Sequence, residues 1–312
     1  MDADSLLFMM QINDGYAFRN TMTIIKQEVT TASMFISRDK IQITFISDSK
    51  RNMHDITLDT NEFVAYHYNI VGEDGTFIEE YPICFNTTEF LNTTKSIGRK
   101  DGIRVYWSLD DQFRLNVQEI KASAKDPGKG GCSFVNILPQ GAEKCTGQEY
   151  AAARPSVQIQ ARDFADLCNQ ANLMKCAFLE VTGRQSSIYF NGILPNRVSA
   201  FVKEFDRGTI PFIKQAPTAA NISSLDSIIN SLSVNDNDPK KTKADPKRIK
   251  LAISTENYIK QVQIQPSTFK ALSKIHNISP QGNLLKIYFE EEKPIKIENK
   301  ISTYGTYVIY LK

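Results

Sequence analysis

Catalysis needs a few reactive side chains brought together, and the 312 residues of this chain offer only three histidines: His54, His67 and His276. They lie in separate strand or helix-end contexts, and none is near a nucleophile motif, so no acid–base or nucleophilic constellation is visible. The run GKGG at 128–131 lacks the Ser/Thr and the preceding spacing of a phosphate-gripping loop. Glu79-Glu80 and Glu290-Glu291-Glu292 read as solvated strand ends rather than metal ligands. Five cysteines, Cys84, Cys132, Cys145, Cys168 and Cys176, show no CxxC pairing and are expected to be reduced thiols. The expectation is therefore a non-enzyme, with no catalytic residue, metal or cofactor. What remains is a set of cations at helical spacing. Arg19 and Lys26 share one run, Lys95 sits in a second with Arg99 and Lys100 just past it, and Lys270 and Lys274 are four apart in a last one. Their chemistry is contact with anions. Since the formal charge is only +2, nucleic acid can be held only if such cations are gathered on one surface.

The elements that position them are legible from periodicity. The strand LFMMQI ends at Asn13-Asp14 and is followed by the helix GYAFRNTMTIIKQEV, in which Phe18, Met22, Ile25 and Val29 fall on one face. The opposite face carries Arg19, Asn20, Thr23 and Lys26, with no acid before Glu28. Three strand-like runs follow: ASMFIS, KIQITFIS and NMHDITLDTNEFVAYHYNI. The order then recurs. A strand, FIEEYPICF, leads to the helix TTEFLNTTKSI, with Thr87 or Thr88 as the expected N-cap, and then to IRVYWSLD, FRLNVQEI and CSFVNILP. A third copy runs from SVQIQ through the helix ARDFADLCNQANLM to RVSAFVKEF, and a fourth has the helix PSTFKALSKI and the closing strands LLKIYFEE, KPIKIENKI and TYVIYLK.

Length and composition permit two domains of ordinary size, with 41% hydrophobic and 23% charged residues. The break at QGAEKCTGQEYAAARP gives the expected division: an N-terminal domain at 1–139, a connecting loop at 140–155 and a C-terminal domain at 156–312. The charged, proline-containing stretch at 206–248 reads as an insertion in the latter. No run approaches the roughly eighteen apolar residues of a membrane span, and MDADSLLFMM has acids where a signal peptide needs cations, so an intracellular protein without membrane partners is expected.

The stretch Leu7 to Leu58, with ITFISDSKRNMHDITL as its most telling part, resembles the first unit of the sliding clamp family of proliferating cell nuclear antigen, and the fourfold pattern extends the resemblance over about four-fifths of the chain. It implies an α+β fold, the DNA clamp fold, of two similar domains, each of two β-α-βββ repeats, with helices lining a ring hole and sheets outside. The implied function is a polymerase processivity factor encircling duplex DNA, a homotrimer in the nucleus or, for a large DNA virus, in a viral replication factory. Phosphates would be contacted by flexible cations and base edges left alone. The resemblance places Arg19, Lys26, Lys95 and Lys274 at basic family positions, with Arg99, Lys100, Arg162 and Lys270 as basic neighbours and Asn20 where the family has a cation. It implies a subunit interface through Phe134, Val135 and Ile137 on one strand and Val198, Ala200 and Val202 on another. It also implies a site for short peptides of a DNA polymerase and other replication or repair enzymes at Ile46, Lys50, Arg51, Ile309, Tyr310 and Leu311 with the connecting loop; a clamp loader is a further open partner. Two readings stay open beside it within the fold: a subunit of a heteromeric checkpoint-type clamp and a monomeric processivity factor. A β-rich interaction protein without DNA is a third, of another class.

Overall fold

The computed structural model describes residues 5–122, 131–139, 143–151, 154–184, 187–206 and 258–312. The insertion expected at 206–248 lies, beyond Asp206, outside the described residues. Within them the chain repeats strand, helix and three strands four times.

The first unit is β1 (Leu6–Ile12), α1 (Gly15–Glu28), β2 (Thr31–Ser37), β3 (Lys40–Ile46) and β4 (Asn52–Asp59). Asp14 caps α1, its Oδ1 accepting from the Ala17 N–H at 2.9 Å. Phe18, Met22 and Ile25 are fully buried, each contributing about 1.5–3 kcal/mol relative to exposure. Val29, expected in the helix, instead closes it with extended backbone. Gly15 donates to the Asp101 carbonyl at 3.0 Å, and a Cβ there would meet that oxygen at 2.8 Å, so only glycine lets α1 start this close to its neighbour. The run expected to form one strand over 52–70 breaks at the 3₁₀ turn Thr60–Glu62 and resumes as the short β5 (Ala65–Tyr68).

The second unit is β6 (Glu80–Asn86), α2 (Thr87–Thr94), β7 (Gly102–Ser108), β8 (Asp111–Ile120) and β9 (Cys132–Leu138). Asn86 caps α2, in place of the expected Thr87 or Thr88, because its Oδ1 reaches both the Thr88 and Glu89 N–H groups at 3.0 Å. Thr87 is buried and donates to the Val29 carbonyl instead. The third unit is β10 (Val157–Gln160), α3 (Ala161–Leu173), β11 (Phe178–Arg184), β12 (Ser187–Ile193) and β13 (Ser199–Asp206). The fourth is β14 (Tyr258–Ile264), α4 (Pro266–Leu272), β15 (Leu284–Tyr288), β16 (Ile295–Ile301) and β17 (Gly305–Leu311). No helix among the described residues is long and apolar enough to cross a membrane.

Units pair by exchanging first strands. β1 runs antiparallel to β7 of the second unit, and β6 to β2 of the first. The later units repeat this, β10 with β15 and β14 with β11. Each pair of units thus shares a core that neither could close alone. Across the first pair Phe90 of α2 meets Phe18 of α1 at a ring distance of 5.9 Å; within the third unit Phe190 meets Phe164 and Phe205 at 5.7 and 5.8 Å.

The two halves join where β17 pairs with β4, from Gly305 opposite Leu58 to Leu311 opposite Asn52. A buried polar network lies beneath this seam. Glu28 Oε2 accepts from the Thr268 hydroxyl at 3.2 Å and lies 3.6 Å from His54 Nε2. His54 Nδ1 is hydrogen-bonded to the Tyr307 hydroxyl at 2.7 Å, and Asn52 Nδ2 donates to Thr268 Oγ1 at 2.8 Å. Burial, and then the charge of Glu28, pushes ionisation of Tyr307 well up. Glu28 and Asn52 of the first unit are therefore tied to Thr268 of the fourth, and His54 to its Tyr307.

Candidate nucleic-acid interface

The four helices pack side by side in the order α2, α1, α4, α3, with α1 and α4 touching across the seam. The apolar face of each is turned to the sheets, which leaves the cations outside. Lys26 on α1 is exposed, as are Lys95, Arg99 and Lys100 at the end of α2, Arg162 on α3, and Lys270 and Lys274 on and just past α4. Among the described residues no carboxylate is ion-paired with any of these seven. Positive charge that the protein does not neutralise is available to an external polyanion. α3 is the weakest contributor. Its Arg162 stands beside Asp163 and the exposed Asp166, and burial, then Asp166, holds the Asp163 carboxyl above its ordinary range.

Two expected lining residues have other work. Arg19 reaches across to α2, its Nη1 donating to the Ile97 carbonyl at 2.7 Å and the Lys95 carbonyl at 3.3 Å, with its guanidinium 4.7 Å from the Tyr16 ring. It closes the carboxyl end of α2. Asn20 is buried and its Nδ2 donates to the Tyr16 carbonyl one turn back at 2.8 Å, so it does not present itself at the helix surface.

At the expected interface strands, alternation decides which side chains are available. Phe134 is exposed and carries the Arg114 guanidinium 4.2 Å from its ring; Ile137 is half-buried. Val135 is fully buried and faces the core, which removes it from the interface set. β9 pairs with β8 on one side and meets β6 only at Ile137 and Leu138 on the other, so the edge over 132–136 has no strand against it among the described residues. β13 pairs only with β12 among the described strands. Val198 and Val202 are exposed and Ala200 half-buried, all with the same parity along the chain.

The elements expected to receive peptides do converge. The exposed Ile46 ends β3, Lys50 occupies the turn at a left-handed φ of 57°, and the Arg51 carbonyl accepts from the Lys312 N–H at 3.3 Å. The connecting segment crosses β3 nearby, where the Cys145 N–H donates to Thr44 Oγ1 at 3.1 Å. Ile309 and Leu311 are fully buried, because odd-numbered positions of β17 face the core; they are corrected from contact residues to core residues. Tyr310 faces outward and is covered by the segment itself, so closely that a Cβ on Gly147 would collide with its hydroxyl. Around it sit residues that sequence reasoning passed over: Tyr150, Tyr288, Lys293 and Lys296. The one available signal was Tyr150, the sole aromatic between 140 and 155.

No family model matches the chain, and no curated protein does. Solved structures do. The crystal structure of proliferating cellular nuclear antigen from Entamoeba histolytica superposes with a TM-score of 0.65 at 9% identity, covering 98% of each chain. The PCNA2–PCNA3 complex from Sulfolobus tokodaii gives 0.62 at 11% identity, covering 97% of this chain and 98% of the other. The chain has the α+β fold of the DNA clamp.

Proposed function

We propose that this protein is a DNA sliding clamp: a non-enzymatic ring of head-to-tail subunits, three in number, that encircles duplex DNA and tethers a DNA polymerase and other replication or repair enzymes by their short peptides. The observation that carries this reading is the single helix layer spanning both halves, with exposed cations at all four helices and no described ion pair to quench them. Flexible lysines of this kind hold phosphates without reading bases, which permits sliding. The open edges support closure. β4, β9, β13 and β17 end the four units; β4 and β17 pair within the chain, while β9 and β13 keep free edges among the described residues. Pairing these between molecules would repeat the seam and is heterologous, the type of contact that closes into a ring.

The test removes Lys26, Lys95, Lys270 and Lys274 together, as alanines, and leaves Arg19 in its structural place. Affinity for duplex DNA is expected to fall, and the dependence of log K on log salt to flatten by about one for each phosphate left without its lysine, with an unchanged far-ultraviolet circular dichroism spectrum. Equal affinity and an equal salt slope would sink the reading.

A further inference from the structure

The described part of the connecting segment, 143–151, is a strap over the outer face of the sheet. Lys144 pairs with Glu80 on β6, Cys145 is bonded to Thr44 on β3, and Lys293 Nζ donates to the Glu149 carbonyl at 2.7 Å. Among the described residues these are isolated bonds, with no backbone ladder to the sheet. Near its end the strap lowers one ring onto the surface. Tyr150 lies 6.1 Å from the Tyr288 ring and 6.4 Å from the Tyr310 ring, and its hydroxyl donates to the Pro294 carbonyl. The Lys293 and Lys296 ammonium groups stand 5.2 and 5.9 Å from its centre. Beside it a cleft of about 470 Å³ runs between strap and sheet, with Asp55 and Tyr310 on its floor.

This is a slot for an aromatic ring, already filled by one. Tyr150 is only half-buried, is held by ring contacts and a single hydrogen bond, and belongs to a segment with few ties to the sheet. The same features that seat it would seat the ring of another chain. The two lysines at the rim already face carboxylates, Lys293 that of Glu290 at 2.8 Å and Lys296 that of Glu298 at 3.3 Å, so the slot offers ring contacts rather than spare charge.

We propose that Tyr150 is a plug acting in cis: it occupies the slot between Tyr288 and Tyr310 that an aromatic residue of a partner peptide takes on docking, so that docking displaces the end of the strap. The partner is the peptide of a tethered enzyme, and in that respect the inference rests on the clamp reading. The slot itself can be tested without DNA or any enzyme.

The probe is p-cresol, a phenol that matches the tyrosine side chain, titrated against the full chain by NMR. The Tyr150→Ala variant is expected to bind it about tenfold more tightly than wild type, roughly 1.4 kcal/mol at 25 °C, with shifts centred on Tyr288 and Tyr310. Tyr150→Phe, which keeps the ring and loses the Pro294 bond, should stay closed to the probe. No gain in Tyr150→Ala, in a variant whose melting curve shows it folded, would overturn the plug, as would a gain with shifts away from the two tyrosines. Failure of the lysine test on DNA leaves this result standing, and failure here leaves DNA binding untouched.

Discussion

The Tyr307 hydroxyl is one end of a buried chain that runs through His54 to Glu28. Replacing it by phenylalanine keeps the ring and strips His54 Nδ1 of its partner inside the core, where a deserted polar atom costs about 1–3 kcal/mol. Tyr307→Phe is therefore expected to lower the urea midpoint by that much stability with an unchanged m-value. Glu298 gives a second test, of pH. Its burial alone would raise its pKa, but the Lys286 hydrogen bond at 2.8 Å and the charges of Lys286 and Lys296 outweigh this and hold the carboxyl below its ordinary 4.5. A carboxylate depressed by folding stabilises the fold above its unfolded pKa, and that contribution is lost as the pH falls through the folded value. Stability of the wild type is expected to decline as pH drops below about 4.5, and Glu298→Gln to flatten that decline in denaturation series at graded pH.

At the level of elements, strands and helices were largely open to sequence reading because each carries its own period. The helix of Phe18, Met22 and Ile25 and the fourfold order of units follow from spacing alone. Which way the residues of a strand face is harder to read. Val135 and Ile309 are as apolar as the Phe134 and Tyr310 beside them, and only pairing with β8 and β4 settles which parity meets the core. Arg19 shows a different limit: a cation on an outer helix face reads as a binding group until its partner, the end of α2, is known to lie against it. The slot around Tyr150 joins residues more than 130 positions apart, and no local pattern announces it. The edge strands make their own prediction. Val202 is exposed on β13, and a charge there would be desolvated in the proposed joint between subunits. Val202→Lys is expected to shift the mass found by light scattering from about three times the 35.2 kDa chain to one chain, with the circular dichroism spectrum unchanged. An assembly of undiminished mass would exclude β13 from the joint.

For the whole molecule, the pairing of four units leaves two ends that are geometric counterparts of a junction already made inside the chain. The internal junction is not bare. Beneath the β4–β17 ladder lies the network of Glu28, His54, Asn52, Thr268 and Tyr307, and above it passes the strap tied to Thr44 on one side and to Lys293 on the other. In mechanical terms the internal joint is riveted as well as laddered: pulling β17 off β4 would have to break the network below and the strap above along with the strand pairing.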